Sequence, residues 1–343
     1  MAEKKKLQFR ADGTFKIVQI ADLHYEGGVP EDLRTIAAVQ SVLEAERPDF
    51  VVFTGDAVKG NRCPDQLGQF LELLALPESY GIPYAFTFGN HDSEHDMCTR
   101  EEMMEAASRR PLCYAEAGPD DVTGVGNYMV TVASAADGEE SKAAFYFFDT
   151  GCSAPKHIIK SYAWLERNQV DWYIRQSEAL TQRSGEPLPA LAFFHIPLPE
   201  YNDVWDFHTC YGVKNENVGC PRLNTGMFAA MKQMGDVMGT FVGHDHTNDY
   251  WGDLYGIRLC YGRASGYNTV GEEEFARGSR VIRLREGERG FETWIRMADG
   301  SVVDEQPEHT AIGRVPPVPR VKAEPAEPVE PVQSEQPVQS AQS

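Results

Sequence analysis

The chain has 343 residues, enough for one large or two small domains with a sizeable core, and its 42% hydrophobic and 10% aromatic content excludes a natively unfolded polymer. A formal net charge of −20 opposes wrapping of nucleic acid and adhesion to anionic membranes. It does not oppose a small phosphorylated substrate, because divalent ions reverse the local sign.

In chain order, short apolar runs at Phe15–Ile20, Phe50–Thr54, Tyr84–Phe88, Tyr128–Val132, Ala143–Phe148, Leu191–His195 and Thr240–Val242 have the length of strands buried on both faces. Helices are predicted between them. One covers Glu31–Glu46 and stops before Pro48, a second opens on the capping box Thr99-Arg100-Glu101-Glu102 and runs toward Arg110, and a third covers Tyr162–Leu180. This alternation predicts a layered α/β domain over residues 1–314. Residues 315–343 hold seven prolines, many Glu and Gln and no aromatic residue, and are expected to be a disordered tail. The seven cysteines are odd in number and lack a C-x-x-C pair, so reduced thiols are expected. Neither a signal-peptide pattern nor a membrane-length apolar run occurs, and a cytoplasmic location is expected.

The chemistry gathers where the predicted strands end. The first runs into Asp22-Leu23-His24, the second into Gly55-Asp56, and the third into Gly89-Asn90-His91-Asp92. Later runs end at His195 and at Gly243-His244-Asp245-His246. Carboxyl ends of strands are where open α/β sheets bind ligands, so these residues are expected to converge. Asp, His and Asn donors suit divalent Mn, Fe, Co, Ni or Zn rather than copper(I) or iron–sulfur clusters. Seven side chains exceed one tetrahedral site and fit two ions about 3.5–4 Å apart sharing one carboxylate, for which Asp56 is the candidate. Each block alone is common; their conjunction at five strand ends is specific.

The ordered blocks D-x-H, G-D, G-N-H-D, H and G-H-x-H resemble the signature of the calcineurin-like metallophosphoesterases, in the purple-acid-phosphatase-like branch, and span Asp22 to His246. The resemblance implies a four-layer α/β/β/α sandwich of two mixed β-sheets flanked by helices. It assigns Asp22, His24, Asp56 and His246 to one metal, and Asp56, Asn90, His195 and His244 to the other. It places His91 beside the substrate phosphate, with Asp92 expected to orient and charge it. Purple acid phosphatases carry an iron-binding tyrosine three residues after the bridging aspartate; Lys59 stands there in this sequence, which implies no tyrosinate chromophore.

A phosphomonoesterase is the expected activity, with a metal-bridging hydroxide attacking phosphorus directly and His91 protonating the leaving oxygen. The alternatives are a phosphodiesterase on cyclic nucleotides or lipid head groups and, from another class, a non-catalytic protein-binding scaffold. The partner is expected to be a small phosphorylated substrate or a phosphoprotein. The polar, aromatic connection 197–225 follows a predicted ligand, and its Tyr201, Asn202, His208 and Asn224, with Trp205 and Tyr211, either contact substrate or pin the loop to the body. Lys59, Asn61 and Arg62 meet a phosphate or face water; His95 is a candidate supporting residue, and His157 and His309 read as ordinary surface histidines.

Overall fold

In the computed structural model the described residues are 6–94, 97–271 and 275–311. His95 and the expected disordered tail lie outside them. In chain order the elements are β1 (Leu7–Gln8), β2 (Thr14–Ile20), α1 (Pro30–Glu46), β3 (Phe50–Thr54), α2 (Gln66–Ser79), β4 (Tyr84–Thr87) and α3 (Arg100–Ser108). Next come β5 (Tyr128–Ala133), β6 (Ser141–Phe147), α4 (Arg167–Ser184), β7 (Ala190–Phe193), α5 (Glu200–Phe207), β8 (Cys210–Tyr211), α6 (Met227–Met234) and β9 (Val237–Val242). Then follow β10 (Trp251–Leu254), β11 (Ile257–Tyr261), β12 (Gly278–Arg285), β13 (Phe291–Met297), β14 (Val302–Val303) and β15 (Glu308–His309).

The strands form two mixed sheets, as expected. One has the order β14-β13-β12-β2-β3-β4 and the other β1-β5-β6-β7-β9-β11-β10-β8-β15. In the first, β2, β3 and β4 are mutually parallel; in the second, β6, β7, β9 and β11 are. Strand alternation sets the layers. Phe15 on β2 meets Phe145 of the opposite sheet with ring centroids 5.9 Å apart, whereas its neighbour Lys16 points the other way and donates from Nζ to Glu46 O of α1 at 2.8 Å. On the far side of the larger sheet, Tyr146 packs edge-on against Tyr173 of α4. Aromatic contacts fill the interface between sheets, including Phe50 with Phe145 and Phe193 with Phe241.

All seven predicted runs are strands, with bounds moved by a few residues. The Thr99 capping box forms as read: Glu102 N–H donates to Thr99 Oγ1 at 3.1 Å and Thr99 N–H to Glu102 Oε2 at 2.9 Å. The third helix is displaced. It starts at Arg167, behind its own cap in which Glu166 N–H donates to Gln169 Oε1, because Tyr162 is engaged in an antiparallel bridge with Ser153. The supposed connection 197–225 contains α5 and β8. Strand β12 escaped notice because Arg280 interrupts its apolar pattern; that guanidinium is fully buried, donating to Tyr261 O at 2.6 Å and to Asp249 O. Among the described residues no helix is long and apolar enough to cross a membrane, and none of the seven cysteines forms a disulfide.

Asp236 ties α4 to β6, accepting from Tyr146 Oη at 2.9 Å and from Tyr173 Oη. Asp236→Ala strands both buried phenols, each costing about 1–3 kcal/mol. Urea denaturation is expected to show a loss of at least ~2 kcal/mol, with both Tyr→Phe changes added to the alanine variant restoring part of it.

Candidate metal centre

The carboxyl ends of β2, β3 and β4 in one sheet and of β7 and β9 in the other meet at one end of the sandwich, and there the backbone leaves its ordinary range. Six non-glycine described residues have positive φ, and four are predicted ligands: Asp22 (54°), His24 (48°), Asp56 (49°) and His244 (78°). Left-handed backbone is disfavoured for residues with a β-carbon and persists where the surroundings over-determine it. The surroundings here are hydrogen bonds across the strand ends. His24 N–H donates to Asp56 O at 3.0 Å, and His244 N–H donates to both oxygens of Asp22 at 3.0 and 3.1 Å, joining the two sheets. Two of the motif glycines are required by contact. A β-carbon at Gly89 would collide with Asp56 Oδ1, and one at Gly55 would lie 2.5 Å from His195 Nδ1.

The predicted ligands fall into the two expected groups. Asp22, His24, Asp56 and His246 each present a donor atom within 4.8 Å of the others, and so do Asp56, His195 and His244. Asn90 joins the second group, its Oδ1 lying 3.2 Å from His195 Nε2. The two carboxylate oxygens of Asp56 differ. Oδ1 accepts from His91 N–H at 2.7 Å, whereas buried Oδ2 has no hydrogen bond and lies 3.2 Å from His195 Nε2 and 3.4 Å from His24 Nε2. That orphaned oxygen belongs to both groups, as a bridging ligand must.

The tautomers agree. His195 Nδ1 is 2.8 Å from Thr54 O, and a carbonyl only accepts, so Nδ1 carries the proton. The lone pair of the neutral ring is then on Nε2, which faces Asp56 Oδ2, Asn90 Oδ1 and His244 Nδ1 at 3.2 Å. Both ring nitrogens of His24 are buried without a hydrogen bond. Clustered lone pairs of this kind are satisfied by a cation. In the cation-free protein, burial pushes Asp22 up to about 8. Burial also opposes the charged forms of Asp56 and His195, but their mutual attraction prevails, holding Asp56 well below the carboxylate range and lifting His195 to about 9. Burial lowers His244 to about 3 and His246 to about 2, so both stand as neutral donors. The set therefore fits two divalent ions.

His91 lies at the rim with its ring centroid 5.0 Å from that of His24. Asp92 does not orient it, contrary to expectation. Its carboxylate is fully buried and accepts backbone N–H groups from Asp56 at 2.9 Å, Val58 at 3.0 Å and Gly89 at 2.7 Å. The carboxylate beside His91 is Glu94, with Oε2 2.9 Å from Nδ1. Arg100, in the first turn of α3, also supports the site. It donates to Gly89 O at 2.6 Å, pairs with Asp149 and contacts Cys152 Sγ at 2.9 Å. Asp245 stays outside both ligand groups, accepting from Tyr261 Oη at 2.5 Å and Gly219 N–H at 3.1 Å.

The residues expected to touch substrate mostly hold the connection to the body. Tyr201 is a core residue, fully buried and 2.8 Å from Thr240 Oγ1 through its hydroxyl. Asn202 donates to Pro199 O and Cys220 Sγ at 3.4 Å, and Asn224 donates to Glu200 Oε1 at 2.7 Å. His208 ends α5 near Tyr255, with ring centroids 6.1 Å apart. Trp205 stacks on His309 at 3.7 Å, so His309 is no idle surface residue, whereas His157 is exposed. Lys59 Nζ and Arg62 Nη1 lie 3.8 and 3.1 Å from Glu26 Oε1. Tyr162 was assigned to a helix by its apolar spacing; its ring instead meets His244 edge-on at 4.4 Å.

The sequence profile of the calcineurin-like phosphoesterases matches residues 15–248. A relative from Arabidopsis thaliana, named probable inactive purple acid phosphatase 29, is 33% identical over 89% of this chain and 88% of its own length. Phosphatase DCR2 from Saccharomyces cerevisiae is 34% identical over 85% of this chain and 55% of its own length. Among solved structures, a dimetal phosphatase from Danio rerio superposes with a TM-score of 0.54 at 16% identity, covering 81% of this chain and 98% of that one, a likeness of fold. The profile match over most of the chain, on two sheets whose strand ends gather the expected donor set, shows that this chain belongs to the calcineurin-like phosphoesterase family.

Proposed function

We propose that this protein is a dinuclear-metal phosphomonoesterase that hydrolyses a small phosphorylated substrate or a phosphoprotein by direct attack of water on phosphorus. The observation that carries this reading is Asp56 Oδ2, a buried oxygen without a hydrogen bond shared by two groups of lone-pair donors. Bound there, two divalent ions would supply Lewis acidity toward the phosphoryl oxygens and a water that ionises near neutral pH. The donor set leaves Mn, Fe, Zn, Co and Ni all open. The yeast relative's name, phosphatase, supports hydrolysis. The plant relative's name, probable inactive, favours a second reading as a non-catalytic scaffold; the complete donor set of this chain argues against it. Seven cysteines without a disulfide support a reducing compartment such as the cytoplasm.

The protein's own part is to position and to move one proton. Asp56 is fixed through Oδ1 by the His91 N–H, which leaves Oδ2 for the ions. His91, with the Glu94 carboxylate 2.9 Å from its Nδ1, gives a proton to the ester oxygen as the phosphorus–oxygen bond breaks and the bond to water oxygen forms. Direct attack by water requires no serine or cysteine nucleophile, and this reading predicts no phosphoenzyme.

Asp56→Asn is expected to lower bound metal, measured by elemental analysis, and to reduce turnover by more than the roughly 10–100-fold typical of losing a supporting residue. Unchanged metal and activity in that variant would overturn the assignment. His91→Ala keeps its metal but loses about 10²–10⁴-fold on alkyl phosphates. The loss is smaller on p-nitrophenyl phosphate, whose leaving group needs little protonation, and an equal loss on both excludes the proton-donor role. Faster turnover of bis(p-nitrophenyl) phosphate than of the monoester shifts the reading to a phosphodiesterase.

Asp22 and His195 are both raised, so each holds a proton at pH 7 that a metal must displace. Metal titrations at pH 7 in buffers of different ionisation enthalpy are expected to register net proton release, with affinity falling as pH is lowered. Buffer-independent heats would contradict this.

A further inference from the structure

Asp22, His24, Asp56 and His195 are buried, whereas Asn90, His91, His244 and His246 are partly exposed, so the open edge of the centre is the one formed by the latter four. His244 on that edge is flanked by two loops. On one flank Gly219 lies so close that a β-carbon would stand 2.8 Å from His244 Nε2 and Cδ2, so only bare backbone fits there. The other flank carries the half-exposed ring of Tyr162, perpendicular to the imidazole at 89°.

The loop bearing Tyr162 is a closed hairpin. Ala154 N–H donates to Ser161 O at 3.0 Å and Ala163 N–H to Cys152 O at 3.1 Å. Its root is gripped by Arg100, which also holds Gly89 O, and its return arm is tied to the opposite loop by Arg222 N–H donating to Ser161 Oγ at 2.9 Å. Tyr162 thus lies opposite Ser153 in an antiparallel bridge closed by hydrogen bonds on both sides. No hydrogen bond to its hydroxyl occurs among the described residues. The local charge is also unusual for a chain of −20, since residues 152–163 contain Lys156, His157 and Lys160 and no acidic side chain. A positive loop beside a half-open centre raises the local concentration of anions.

We propose that Tyr162 is a substrate-contacting residue whose hydroxyl donates a hydrogen bond to a non-bridging oxygen of the phosphoryl group. The inference rests on the phosphomonoesterase reading. A phenol is a neutral donor near pH 7, and a hydrogen bond to a charged oxygen is stronger than one between neutral groups. The edge contact with His244 holds the ring, and the unspent hydroxyl is the functional part.

The test uses the metal-loaded full chain with inorganic phosphate as the probe in isothermal titration, alongside steady-state kinetics on p-nitrophenyl phosphate. Tyr162→Phe keeps the ring and is expected to weaken phosphate binding about tenfold or more, to raise KM, and to leave the metal content unchanged. Tyr162→Leu also removes the ring and is expected to lower metal content through His244. Wild-type phosphate affinity in Tyr162→Phe overturns the inference while the phosphatase reading stands. Loss of metal from Tyr162→Phe overturns it too, because the hydroxyl would then serve His244. A metal-loaded wild type that binds no phosphate defeats the phosphatase reading and this inference together.

Discussion

One buried carboxylate, that of Asp92, sets the geometry on which the candidate metal centre depends. Its three accepted N–H groups come from Asp56, Val58 and Gly89, so it joins the turns after β3 and β4. Burial and the nearby Asp56 raise this carboxyl, and the N–H groups from Gly89 and Val58 oppose the rise. The same turn closes a second time when His91 N–H donates to Asp56 Oδ1. Asp56 is therefore fixed at both its backbone and one side-chain oxygen before any ion arrives. This is preorganisation, in which the ordering cost of the ligands is met in folding and not in binding.

The second constraint crosses between the sheets. Gln19 on β2 donates from Nε2 to Val242 O at the end of β9 and to Thr54 Oγ1 at the end of β3. One layer above, His244 N–H reaches Asp22. Parallel strands from two sheets thus end at a common level, and that lets five separate segments contribute to one small volume. Neither sheet alone carries both ligand groups, since Asp22, His24, Asp56 and Asn90 follow strands of one and His195, His244 and His246 follow strands of the other.

The convergence of the donor blocks was legible because each is short, follows an apolar run directly and combines a turn-forming residue with a donor. Strand length and strand-end chemistry are local, and local patterns survive in sequence. What failed was non-local. Tyr201 in a polar stretch reads the same whether it faces a substrate or inserts beneath β9, and its burial depends on Thr240 and Cys260, far along the chain. Asp92 adjoins His91 in sequence, but the pleat and turn send it toward backbone donors, leaving Glu94 beside the imidazole. Tyr162 fell on a helical spacing that Glu166 and Gln169 later cut short by building their own cap. Arg280 hid β12 because a buried arginine imitates a surface residue when only composition is visible.

The left-handed backbone at Asp22, His24, Asp56 and His244 has a consequence for stability. Such conformations cost of order 1–3 kcal/mol each, a sizeable share of the stability of an ordinary domain. Ions that bind only the folded chain offset that cost by mass action. If the proposed ions bind there, metal supply would act on the stability of the fold as well as on chemistry, and scarcity would lower abundance through unfolding and proteolysis.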